Sequence, residues 1–184
     1  PVVKGNHDEQ SSEPSDLSYF NPLAAQAIQW TRDKLTQEQK DWLRALKFSR
    51  LVRNFTIVHS TLDSPTNWGY VVSDLDASAS FSYQHTQVCF YGHTHVPRAY
   101  MRDARVHELP ATTLQIEPGK KYFLNAGSVG QPRDMDWRAS YILYTPGTHT
   151  VEWRRIPYDI AKTQAKILAA GLPERLAARL AEGR

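Results

Sequence analysis

Three short apolar runs in this chain each stop at histidine. Val2-Val3 leads into Gly5-Asn6-His7-Asp8, Phe55 to Val58 into His59-Ser60, and Val88 to Tyr91 into Gly92-His93-Thr94-His95. β-Branched and aromatic residues in such runs are strand material, and glycine at the exit lets the backbone turn. In open α/β sheets ligands gather beyond the strand ends, so residues distant in sequence converge there. One histidine at a strand exit is more often a satisfied loop residue than a ligand, and His85, His107 and His149 lie outside every motif. Three such exits are harder to dismiss. On extended backbone an H-x-H pair would set both rings on one side, able to hold one metal or bridge toward two.

Composition bounds the rest. The 184 residues, 41% hydrophobic and 22% charged, suit one globular domain with a real core, expected over residues 1–184. A formal charge of +3 without a basic run disfavours a long nucleic-acid substrate. No apolar run approaches a bilayer span and no signal-peptide pattern opens the chain, so no membrane partner is expected. The single cysteine, Cys89, sits in an apolar strand and reads as an inert core thiol, which fits a cytoplasmic setting.

Taken in order, Glu9 to Leu17 reads as a polar surface loop, and Asn21-Pro22 as the start of a helix whose apolar face is Ala24, Ala27, Ile28 and Leu35. Thr36 and Gln39 form a capping box for a second helix, with Trp42, Leu43 and Leu46 facing inward. In the Thr61 to Tyr70 loop, Trp68 and Tyr70 either line a pocket mouth or cover the core. Residues 71–83 read as partly helical, and 98–102, 112–116 and 122–124 as short strands. Ser140 to Tyr144 and Thr150 to Arg154 form a hairpin around Pro146-Gly147. Two helices, Asp159 to Ala170 and Pro173 to Ala181, follow it. The Asn125 to Arg133 stretch is either a glycine-rich turn with a solvated Arg133 or a backbone cradle for an anion with Arg133 as its partner. It lacks the Lys-Ser/Thr ending of a Walker loop, which argues against ATP binding.

The ordered set Gly5-Asn6-His7-Asp8, His59-Ser60 and Gly92-His93-Thr94-His95 resembles the calcineurin-like metallophosphoesterase superfamily, and Asn125 to Arg133 resembles a segment of its small bacterial members. The resemblance implies an α/β fold, a four-layer αββα sandwich of two mixed β-sheets flanked by helices. It implies two divalent metal ions (Mn, Fe, Zn or Ni), with Asn6, His59 and His93 matching ligands of one, and His95 a ligand of the other. His7 matches the catalytic histidine, Asp8 stands behind it, and Arg133 is the candidate substrate contact. The implied activity is hydrolysis of a phosphate mono- or diester, a small phosphoester or nucleotide, by a metal-activated water. The family's D-x-H and G-D-x-x-D motifs would precede Gly5, where only four residues stand. The expectation is an N-terminally incomplete domain, inactive as it stands. The alternative is a non-catalytic metal-binding or scaffold member of the same fold.

Overall fold

A computed structural model of the protein describes residues 1–18 and 20–184. The chain begins with helices α1 (Asn6–Ser12), α2 (Pro22–Lys34) and α3 (Gln37–Ala45), then strands β1 (Ser49–Val52) and β2 (Phe55–Val58) and helix α4 (Asp74–Tyr83). Seven strands follow: β3 (Val88–Tyr91), β4 (Arg98–Arg102), β5 (Val106–Leu109), β6 (Thr113–Gln115), β7 (Lys121–Asn125), β8 (Ala139–Thr145) and β9 (Thr150–Ile156). Helices α5 (Ile160–Ala169) and α6 (Glu174–Glu182) come last.

Six strands form a mixed sheet in the order β1-β2-β3-β7-β4-β5, with β2, β3 and β7 parallel. The parallel strands are short and rich in apolar residues on both faces, as strands covered on two sides must be. On one face Ala77 and Phe81 of α4, with Val71, pack against Val58, Cys89, Tyr91, Tyr100 and Phe123. On the other, Val88, Ala99, Met101, Tyr122 and Leu124 meet a second sheet, β6-β9-β8, through Ile116 and Val151. Each fully buried side chain of this size contributes about 1.5–3 kcal/mol, so the two cores hold the sheets together and fix where the strand ends lie. The architecture is the expected mixed α/β sandwich of two sheets flanked by helices. The smaller sheet is antiparallel throughout. Its outward face leaves Tyr141, Leu143 and Ile156 open to solvent at 41, 45 and 46%. Cys89 is wholly buried, and burial pushes its thiol well above the ordinary range, the inert core thiol expected.

Local signals account for most elements. Asn21 Oδ1 accepts from the Leu23 N–H at 3.0 Å, and Thr36 and Gln39 close their capping box. Three expectations are corrected. Val2-Val3 forms no strand, because its segment finds no ladder among the described residues; Lys4 makes one backbone bond, to the Lys47 carbonyl at 2.9 Å. Asn6 to Ser12 are helical rather than a turn and loop, while Glu13 to Leu17 stay irregular as expected. Asp8 Oδ2 accepts from the Gly5 N–H at 2.8 Å, and acidic Asp8 and Glu9 favour the amino end of α1. Trp42 is 57% exposed, since it stands about 100° around α3 from half-buried Leu43. Strands β1 and β5, whose apolar content is slight, were not foreseen.

Candidate active site

Because β2, β3 and β7 run parallel, their exits lie side by side: His59 after β2, Gly92 to His95 after β3, and Ala126 onward after β7. The Gly92 N–H donates to the His59 carbonyl at 2.9 Å, and the Ala126 N–H to the Tyr91 carbonyl at 3.2 Å, tying the exits together. Helix α1 adds Asn6 and His7 to the same edge. Gly5 is required there, since a Cβ would stand 2.9 Å from His59 Cε1 and Nδ1.

The turn after β3 is not extended backbone. His93 and His95 both sit at φ 61°, a left-handed conformation costly for any residue with a Cβ, so strand alternation does not set their rings. Asn125 holds the turn instead. Fully buried, it donates from Nδ2 to the Gly92 carbonyl at 2.7 Å and to Thr94 Oγ1 at 2.8 Å. Its Oδ1 accepts from the Gly127 N–H at 2.8 Å. Asn125 as a clamp was missed by sequence reasoning, although an asparagine at a strand end two residues before glycine is a turn signal.

Three donors converge. His59 Nε2 lies 3.1 Å from Asn6 Oδ1 and 3.1 Å from His93 Nδ1. Two donors each bound to one divalent ion stand about 3.0–3.4 Å apart at octahedral to tetrahedral angles, so the spacing fits a shared ion. His93 Nε2 faces the Trp68 carbonyl at 2.8 Å and His95 Nδ1 the Gln131 carbonyl at 2.7 Å. Each of those nitrogens must carry the proton and donate it, which leaves His93 Nδ1 and His95 Nε2 as lone pairs. Tyr70 stacks on His93 at 4.4 Å, and Trp68 meets His59 edge-on at 5.7 Å. Both aromatics therefore line the site. Among the described residues no three of His, Cys, Asp or Glu form a metal-holding group; the convergent set is two imidazoles and an amide oxygen.

The electrostatics keep these imidazoles neutral. His59 is pushed down to about 4 by burial, then by the neighbouring His93, His95 and His7. His95 is pushed down to about 4 by burial and by Arg133. His93 is lowered by burial, with its bond to the Trp68 carbonyl opposing. Burial and then Arg133 lower His7 too, against the opposing charge of Asp8. Neutral imidazole is the form that binds a cation, so the cluster is poised as a ligand set near neutral pH.

The Asn125 to Arg133 segment is a turn rather than a backbone anion cradle. Most of its N–H groups are already committed: Ala126 to the Tyr91 carbonyl, Gly127 to Asn125 Oδ1, and Gly130 and Gln131 to Ser128 Oγ at 3.2 and 2.9 Å. Arg133 is positioned by its own N–H to the His95 carbonyl at 3.1 Å, and by Nη2 to Gln131 Oε1 at 3.0 Å. With His7 it lines a cavity of about 630 Å³ reaching back between α2, α5 and α6. Asn6, His59, His93, His95, His7 and Arg133 thus share one edge of the sheet. Arg175 and Arg179 of α6 also line that cavity and carried no sequence motif to reveal them.

Comparison with known proteins places the chain in a family and a fold. The family model described as the calcineurin-like phosphoesterase superfamily domain matches residues 1–148. A metallophosphoesterase from Sphaerobacter thermophilus, known from its crystal structure, is similar with TM-score 0.85 and 38% identity, over 99% of this chain and 76% of its own. An uncharacterized protein of Methanocaldococcus jannaschii is 33% identical over 99% of this chain and 75% of its own length. A hypothetical protein of Pyrococcus horikoshii, at 17% identity and TM-score 0.75, covers 100% of this chain and 73% of its own and shares the fold. The chain belongs to the calcineurin-like phosphoesterase superfamily, a family of metal-dependent phosphoester hydrolases.

Proposed function

We propose that this protein hydrolyses a small phosphate mono- or diester at the strand-exit cluster, with Asn6, His59 and His93 holding one divalent ion and His95 contributing to a second. The observation that carries this reading is the approach of Asn6 Oδ1 and His93 Nδ1 to His59 Nε2, each at 3.1 Å. Nitrogen and amide-oxygen donors without thiolate suit Mn, Fe, Zn or Ni. When bound, such ions supply Lewis acidity to the phosphoryl oxygens and make a bound water more acidic.

The chain's own residues supply the rest. Arg133, anchored on Gln131 Oε1, presents its guanidinium beside His7 for the phosphoryl group. His7 is neutral near pH 7 in the free protein because burial and Arg133 lower its pKa. A phosphate dianion would offset the Arg133 charge and raise the affinity of His7 for a proton. His7 then delivers that proton to the ester oxygen as the P–O bond breaks and water adds to phosphorus, a contribution typically about 10²–10⁴-fold. Asn125 keeps His93 and His95 aimed by bracing the turn between them.

A second reading, a non-catalytic member binding one ion, rests on the lack of any carboxylate joining these donors among the described residues. Hydrolysis of bis-p-nitrophenyl phosphate by the complete reading frame with added manganese, beside His93→Ala in the same chain, separates the two. The phosphoesterase reading expects activity in the parent and its loss, with loss of bound metal, in the variant. Silence in both, with at most one ion per chain, favours the scaffold.

A further inference from the structure

The cavity that opens beside His7 and Arg133 has two kinds of wall. Ala24 and Ala27 of α2, Ile167 of α5, and Leu176 and Leu180 of α6 make one aliphatic surface. Arg175 and Arg179, four residues apart and therefore on one face of α6, add guanidiniums to the same space. With Arg133 that makes three cations around one cavity of about 630 Å³, room enough for a drug-sized molecule. Like charges at this spacing weaken a helix, and Arg179 is disfavoured as a cation by burial and by both Arg133 and Arg175. Compensation is thin. Arg175 meets Glu182 at 3.1 Å, Arg133 meets a neutral amide, and Arg179 donates to the Arg184 main-chain oxygen with no Asp or Glu in ion-pair contact among the described residues. A cluster left with excess positive charge over an apolar floor is what an amphiphilic anion would complement.

We propose that this cavity takes the leaving group of the substrate, and that the leaving group is an apolar body carrying a second phosphate, held by Arg175 and Arg179. The inference rests on the phosphoesterase reading above and names its substrate class. Arg133 and His7 face the phosphate to be cleaved, and the α6 pair anchors the one that stays. The aliphatic walls take either of two apolar bodies, an aliphatic chain or a nucleoside, and the test distinguishes them.

The test uses matched esters differing only in the second phosphate: hexyl phosphate against 1,6-hexanediol bisphosphate, and adenosine 5′-phosphate against adenosine 3′,5′-bisphosphate. Phosphate release by the manganese-loaded complete reading frame gives kcat/KM for each. Calorimetry on the metal-free protein gives binding without turnover. The bisphosphate is expected to be preferred by about tenfold or more in at least one pair, as a charge-assisted contact allows. Arg175→Ala/Arg179→Ala should collapse the ratio toward one, and Arg175→Lys/Arg179→Lys should retain part of it. The pair that shows the preference identifies the body. Equal use of both members of each pair, or a preference that survives the double alanine variant, overturns the proposal while leaving the phosphoesterase standing. If neither these esters nor bis-p-nitrophenyl phosphate is cleaved, the phosphoesterase reading fails. Calorimetry then decides the cavity alone: bisphosphate binding that the double alanine variant weakens supports the anion site, and equal or absent binding removes it.

Discussion

Asn125→Ala tests whether the turn that carries both histidines of the Gly92 to His95 motif is held from the neighbouring strand. The side chain is fully buried and makes three hydrogen bonds, at 2.7, 2.8 and 2.8 Å. On its removal the Gly92 carbonyl keeps the Thr94 N–H at 2.7 Å, so the half-buried Gly127 N–H is the group left without a partner. Two lost bonds cost about 1 kcal/mol each, and a half-buried donor left unsatisfied about 1–2 kcal/mol, for a total of about 3–4 kcal/mol. The larger effect falls on geometry. His93 and His95 hold φ 61° against local strain, and without the clamp the turn relaxes and the two lone pairs lose their aim. Loss of a supporting partner behind metal-binding histidines typically weakens metal affinity about 10–100-fold. Urea unfolding of the metal-free protein at pH 8 reads the first quantity, and manganese titration calorimetry reads the second. Lowered stability with unchanged manganese affinity would refute the clamp as a positioning device. A stability change below about 1 kcal/mol would refute the accounting of its bonds.

Three further outcomes follow from the same geometry. Gly5→Ala places a Cβ 2.9 Å from the His59 ring, so it should abolish metal binding while circular dichroism shows the fold retained; full affinity would mean His59 is free to move aside. In chelator, stability should be at its full value above pH 6.5 and fall as pH drops toward about 4, because His59 in the folded chain resists the proton that the unfolded chain accepts. The loss is on the order of 2–3 kcal/mol for His59, read by urea midpoints across that window, and a flat profile would contradict it. Tyr70→Ala removes a ring stacked on His93 at 4.4 Å but 54% exposed, so kcat/KM for bis-p-nitrophenyl phosphate should fall severalfold while stability changes by less than about 1 kcal/mol; the reverse pattern would make Tyr70 a packing residue.

What the sequence made legible was chemistry at strand ends. Phe55 to Val58 and Val88 to Tyr91 could be read as strands because both their faces are apolar, and the residues after them could be read as candidates because imidazole and amide donors recur there. Helix starts were legible where a side chain does the capping, as at Asn21, Thr36 and Asp159. The helix after Gly5 was not, because glycine caps without a side chain and Ser11-Ser12 suggests a loop. Strand alternation suggested how the His93 and His95 rings would point, yet the turn is left-handed, and its brace lies on β7, more than thirty residues away. Arg175 and Arg179 carry no motif. Only the packing of α6 beside α5 and the Gly130 to Arg133 loop brings them to the cavity behind His7.

The account stands on one point in space, where Asn6, His59 and His93 meet. Anomalous diffraction from crystals of the protein grown with manganese locates the ion directly. The account predicts a strong peak within bonding distance, about 2.0–2.3 Å, of Asn6 Oδ1, His59 Nε2 and His93 Nδ1 together. A manganese peak elsewhere, or none there at saturating metal, would contradict it.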